Sequence, residues 1–242
     1  LLLEALIVSQ AKHKLFLFGL LSLALWVAIV AVQYGLANAN SYAVGAWHQR
    51  WQKDLNKQLT QSNLEVAEHV TRDMLAWQAN HPHYQVLAAK QVEWSNFYNL
   101  VISPDTANKS LLKKHNLLKA QQFYLRSAEL RPTWPNTYVD LAKNALYRQA
   151  SSQEAMAYLQ LAARVGENAP VTLFAYVEIG LSLWPELSIE QRTDVAKALL
   201  KIEQHAFMHK GLSQAMRQAQ FKQRACALYL LAGVDYVACA NT

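Results

Sequence analysis

Residues 15–36 (LFLFGLLSLALWVAIVAVQYGL) hold no charged side chain, and a run of that length leaves the chain few choices. At about 1.5 Å per residue, a helix over this run crosses a hydrocarbon core about 30 Å thick. Lys12, His13 and Lys14 precede it, whereas no charge follows until Arg50. Positive charge on one side favours retention of that side in the cytoplasm. The sequence thus predicts a cytoplasmic tail over residues 1–14, a transmembrane helix over 15–36 and a bulk that lies outside. Ala37 and Ala39 also form an Ala-x-Ala pattern that a signal peptidase recognises. A signal peptide's apolar stretch is usually about 7–15 residues, shorter than this one, so a retained anchor is the expectation.

Seven glycines and six prolines in the whole chain are too few for a strand-rich fold with many turns. Abundant Ala, Leu and Gln favour helix. The expected fold class is all-α, with a single transmembrane helix followed by an array of antiparallel helix pairs. The net charge of +6 has no basic cluster behind it apart from Lys113 and Lys114, which argues against nucleic acid. A mildly basic surface still attracts anionic headgroups or acidic polysaccharide at long range.

Apolar periodicity predicts helix over residues 42–80, after a polar joint at 38–42, with Trp47 and Trp51 either at the membrane interface or on one apolar face. Further helices are expected over 84–100, 109–130, 135–149, 152–165, 170–184 and 189–205, with two shorter ones after them. His81-Pro82 and Ser103-Pro104-Asp105 are breaks. Ser151 with Glu154, and Ser188 with Gln191, have the spacing of reciprocal helix caps. A repeat links Pro132, Tyr138, Asp140 and Ala142 to Pro170, Tyr176, Glu178 and Gly180. Such self-similarity marks stacked helix pairs.

Ala120, Tyr124, Ser127 and Pro132, followed by Tyr138, Leu141 and Ala142 and by Tyr176, Ile179 and Gly180, resemble tetratricopeptide repeats across residues 109–200. The family usually places an amide where Asp140 and Glu178 stand. The resemblance implies a helical repeat region over 109–242 after an N-terminal helical segment over 42–108. It also implies that Asn136, Val139, Asp140, Lys143 and Glu178 face a partner-binding groove. The stretches 131–136 (RPTWPN) and 178–187 (EIGLSLWPEL), after a single anchor, resemble VpsP-type proteins of bacterial extracellular polysaccharide biosynthesis. That resemblance implies an inner-membrane, periplasm-facing protein. Its expected partners are protein components of a polysaccharide assembly or export machinery, or the polysaccharide itself.

No phosphate loop, nucleophile elbow or His-Glu-x-x-His helix is present, and no enzyme activity or cofactor is expected. His69, His81 and His83 lack the neighbours of a metal site. Asp140 and Glu178 invite comparison with a glycosidase pair, but salt bridges to Lys143 or Arg148 are the expected role. Trp134, Tyr138, Phe174, Tyr176 and Trp184 are expected to pack between helices rather than stack on sugars. Cys226 and Cys239 either close a small loop in an oxidising compartment or stay as separate buried thiols.

Overall fold

The computed structural model describes residues 2–102, 109–215, 219–234 and 239. Every described element is helical, which establishes the all-α class. The chain divides into two compact units, Leu1–Asn80 and His81–Thr242.

In the first unit, α1 runs unbroken over Leu2–Lys53. Within it, His13–Lys53 includes a window long and apolar enough to cross a membrane, with mean hydropathy 2.7. Its residues 15–29 are exposed around the whole helix. The expected joint at 38–42 does not form. Ser41 donates its hydroxyl to the Asn38 carbonyl at 2.7 Å, so its polar side chain is satisfied inside the helix. The break falls later, where Asp54 accepts from the Lys57 backbone N–H at 3.4 Å and opens the short α2, Leu55–Gln58. Thr60 then caps α3, Gln61–Trp77, by accepting from the Asn63 N–H at 3.3 Å. The Gln58 carbonyl receives the Trp51 indole N–H at 3.0 Å and the Asn63 amide at 2.9 Å, which fixes this corner.

α3 packs back along α1. On α1 the buried positions are Ala37, Ser41, Val44, His48 and Trp51, and on α3 they are Leu64, Ala67, Thr71 and Met74. Both sets alternate steps of three and four, the seam of a coiled-coil hairpin. Trp51 is therefore a packing residue, with Trp47 stacked at its side, ring centroids 6.2 Å apart.

The second unit begins with α4, Pro82–Phe97, extended by a wider π-helical turn, Tyr98–Ile102. The break expected at Ser103-Pro104-Asp105 lies outside the described residues. α5 (Lys109–Leu130), α6 (Pro135–Tyr147), α7 (Ser152–Gly166), α8 (Pro170–Ser182) and α9 (Ile189–Glu203) follow. α4 packs on α5, α6 on α7 and α8 on α9, while α5, α6, α7 and α8 join successive pairs. The array thus starts at α4, ahead of the boundary expected at residue 109, because α4 is the packing partner of α5. α10 (His209–Ala215) and α11 (Ala219–Leu231) pack on α8 and α9.

The first helix of each pair opens on a proline at its N-terminus: Pro82, Pro135 and Pro170. Proline suits this position because its missing N–H would be unpaired there anyway. The second helices α7 and α9 open on serine caps. Ser188 and Gln191 form the full reciprocal box, while at Ser151 only the serine arm forms. The α6–α7 turn is closed by Gln149 at φ 56°, with the Ala150 N–H bonded to the Ala145 carbonyl at 2.9 Å.

Val139, Ala142, Met156, Leu159, Val177, Ile179, Val195 and Leu199 belong to one core. Val86, Ala89, Ala120, Tyr124 and Leu141 make a second beside it. Most of the repeat's expected small and aliphatic positions are buried, Ala120, Ser127, Leu141, Ala142 and Ile179 among them. Cys226 and Cys239 form a disulfide, with Cα atoms 5.5 Å apart, which leaves no separate thiols.

Candidate functional site

The first helices of the three pairs carry a ladder of opposite charges. Lys90 of α4 meets Asp140 of α6 at 3.2 Å, and Lys143 of α6 meets Glu178 of α8 at 3.3 Å. Counted from the opening proline, Asp140 lies five residues into α6, whereas Glu178 lies eight residues into α8. The two acids therefore occupy different turns, and Asp140 reaches back to α4 while Lys143 reaches forward to α8. Lys90, Lys143 and Glu178 remain 40 to 47% exposed, so a partner can reach them. Salt bridges this exposed contribute about 0–1 kcal/mol each to folding.

Asn136 stands exposed at the start of α6. Val139 does not belong to the surface. It is 2% exposed and packs in the core, because it sits one residue from Asp140 and a helix turns each successive side chain by about 100°. Among the expected groove residues, Asn136, Asp140, Lys143 and Glu178 are accessible and Val139 is not.

Behind the ladder lies Glu93 of α4, which sequence reasoning missed. Its Oε2 accepts from the Tyr124 hydroxyl and its Oε1 from the Asn144 amide, both at 2.9 Å. Burial pushes its carboxyl up to about 7, against the lowering effect of these two donors; Asp140 raises it further and Lys90 lowers it. Tyr124 is pushed well above its ordinary value by burial and by Glu93 and Asp140, so it stays protonated as a donor. Tyr147, pushed up to about 12 by burial and by Glu93, Glu178 and Asp140, stands half-exposed on α6.

Hydrogen bonds extend from Glu93 across the array. Asn144 also donates to the Leu117 carbonyl at 3.2 Å and accepts from Arg148 Nε at 3.0 Å. Arg148 pairs with Glu154, whose carboxylate also takes the Gln121 amide at 3.2 Å, and Gln121 reaches the Tyr158 hydroxyl at 3.0 Å. This pull on Glu154 explains the half-formed cap at Ser151. Arg148, expected as a partner for the repeat acids, is used here instead. The signal for Glu93 was a carboxyl one turn beyond Lys90 on α4, a helix with no other Asp, Glu, Lys or Arg.

At the start of α6, Arg131 lies 4.0 Å over the Trp134 ring, and the His83 ring is 6.4 Å from it. His83 is lowered by burial, then by His81 and Lys90, so its ring is neutral at neutral pH. Trp184 carries Arg192 over its ring at 5.4 Å, and Phe174 closes on Gly211. Among the described residues no three His, Cys, Asp or Glu side chains gather as a metal site. No family model matches the chain, and no curated protein matches it at a significant level.

Proposed function

We propose that the chain is a membrane-anchored periplasmic scaffold that docks a protein of an extracellular polysaccharide assembly or export machinery, with no catalysis of its own. The observation that carries the docking role is the accessible charge ladder across α4, α6 and α8. Successive first helices offer an alternating row of donors and acceptors, suited to a polar helix or extended segment. The apolar α1 supports the anchor, and the Cys226–Cys239 bridge agrees with an oxidising compartment. The polysaccharide setting rests on the resemblance of residues 131–136 and 178–187. The inner-membrane placement, with a cytoplasmic N-terminus, rests on that resemblance and on Lys12 and Lys14 before the run.

A photo-crosslinker at Asn136 or Lys143, in cells making polymer, is expected to capture a protein of that machinery. Lys143→Glu should weaken capture, and the double swap Lys143→Glu with Glu178→Lys should not restore it, although it restores the internal pair. Full restoration by the double swap would reduce the ladder to a structural role. Reporter fusions after Asn40 and at the C-terminus test the orientation; cytoplasmic activity of both would overturn it.

The Arg131, Trp134 and His83 cluster favours a second reading, direct glycan binding, since an aromatic ring beside a guanidinium can stack on a sugar. Purified polymer separates the two readings: an adaptor ignores it and keeps its protein partner.

A further inference from the structure

A cavity of about 500 Å³ opens between α7, α8 and α9, on residues that the docking ladder does not use. Its volume falls in the range of sites for small molecules. Arg164, Tyr176, Lys197 and Lys201, with the acids Glu167 and Asp194, supply most of its polar lining, and Leu173 part of its apolar lining.

These polar groups are not equally engaged. Lys201 is held by Glu167 and by Asn168, the latter at 3.1 Å, and Lys197 meets Asp194 at 3.7 Å. Arg164 makes no ion pair among the described residues, and the Tyr176 hydroxyl has no hydrogen-bond partner among them. Tyr176 is only 6% exposed. Water reaches the hydroxyl from the cavity, since it is not one of the sealed-off polar atoms of the core, and a bound acceptor takes that water's place. Burial, with help from Asp194, pushes Tyr176 up to about 12, so it remains a donor at physiological pH.

The two unengaged groups ask for the same thing. A guanidinium fork matches a planar, acceptor-only anion, and a phenol donor adds a further bond to one of its oxygens. Leu173 and Ala198 then offer contact for a compact carbon body. We propose that the α7–α8–α9 cavity binds a small carboxylate ligand, with its carboxylate on Arg164 and Tyr176 and its body against Leu173.

The test uses the full chain in detergent, titrated with acetate, benzoate and D-glucuronate. D-glucose serves as the uncharged match for D-glucuronate, and sodium chloride at equal ionic strength serves as the salt control. At least one carboxylate is expected to raise the melting temperature saturably, beyond chloride, while glucose does not. Arg164→Gln and Tyr176→Phe should each weaken that binding about 10-fold or more, as expected for a lost charge-assisted hydrogen bond. Arg72→Gln, on α3, should leave it unchanged. The proposal is overturned if no carboxylate exceeds chloride, if glucose matches D-glucuronate, or if a normally folded Arg164→Gln chain binds as before.

Discussion

Gly180 of α8 stands so close to Val195 of α9 that a Cβ built on it lies 2.2 Å from Val195 Cγ2. No side chain fits there unless Val195 or one helix of the pair shifts. Gly180→Ala is expected to destabilise the chain by about 1–3 kcal/mol through overpacking. Gly45 of α1 has nothing within 4 Å of its built Cβ, so Gly45→Ala should be neutral or gain up to about 1 kcal/mol from helix propensity. Denaturant unfolding of both variants reads the contrast, and equal effects would reject the close α8–α9 contact.

Glu93 makes stability depend on pH. Its folded value of about 7 lies above the ordinary 4.5, so the folded state holds the proton more tightly than the unfolded chain. The stabilisation is therefore full below about pH 4.5 and is lost as pH rises through about 7. The whole change amounts to about 3 kcal/mol. Glu93→Gln keeps an acceptor for Asn144 and places an N–H toward Tyr124, so it mimics the protonated carboxyl. The variant should flatten the pH profile between 5 and 8 and be more stable than the parent at pH 8. A parent profile already flat in that window would refute the buried-carboxyl reading.

The bridge between Cys226 and Cys239 spans 13 positions of sequence. A loop of that size, opened by reduction, is expected to cost about 3 kcal/mol through the unfolded chain's added freedom. Non-reducing mass spectrometry should find the linked peptides, and a reductant should lower the melting temperature of the parent but not of a Cys226→Ser, Cys239→Ser chain.

Gln149 adopts the left-handed backbone at φ 56°, where a side chain costs about 1 kcal/mol relative to glycine. Gln149→Gly should raise stability by about 0.5–1 kcal/mol, and a loss on equilibrium unfolding would show that the side chain contributes more than the turn does.

Ala37 is fully buried in the hairpin seam, so cleavage after Ala39 would strip one layer from it. Intact-mass analysis of the membrane fraction is expected to find a chain that retains residues 15–36. A mature species beginning at Asn40 would instead identify the run as a cleaved signal.

Local chemistry made much of the fold legible in the sequence. Pro135, Pro170, Ser151 and Ser188 mark helix starts by what they do to nearby backbone N–H groups, and the helices begin where they stand. The polar stretch at 38–42 misled, because Ser41 finds its acceptor one turn back, and polarity alone does not reveal that. At the candidate site, Asp140 and Glu178 stand out in the sequence as repeat positions, and Lys143 lies one turn beyond Asp140. Glu93 does not, since its meaning depends on Asn144, 51 positions away, and on Tyr124. Val139 failed for a related reason: a position borrowed from a repeat pattern carries no information on which side of this helix the neighbouring pair covers.

The unbroken α1 has a mechanical consequence. In the proposed anchored arrangement, a helix unbroken between Leu15 and Trp51 and packed over its outer part by α3 carries a tilt inside the bilayer into the part outside it. An apolar segment tilts when the surrounding bilayer thins. In that arrangement the α1–α3 hairpin swings through the same angle, and membrane thickness is converted into the attitude of the hairpin.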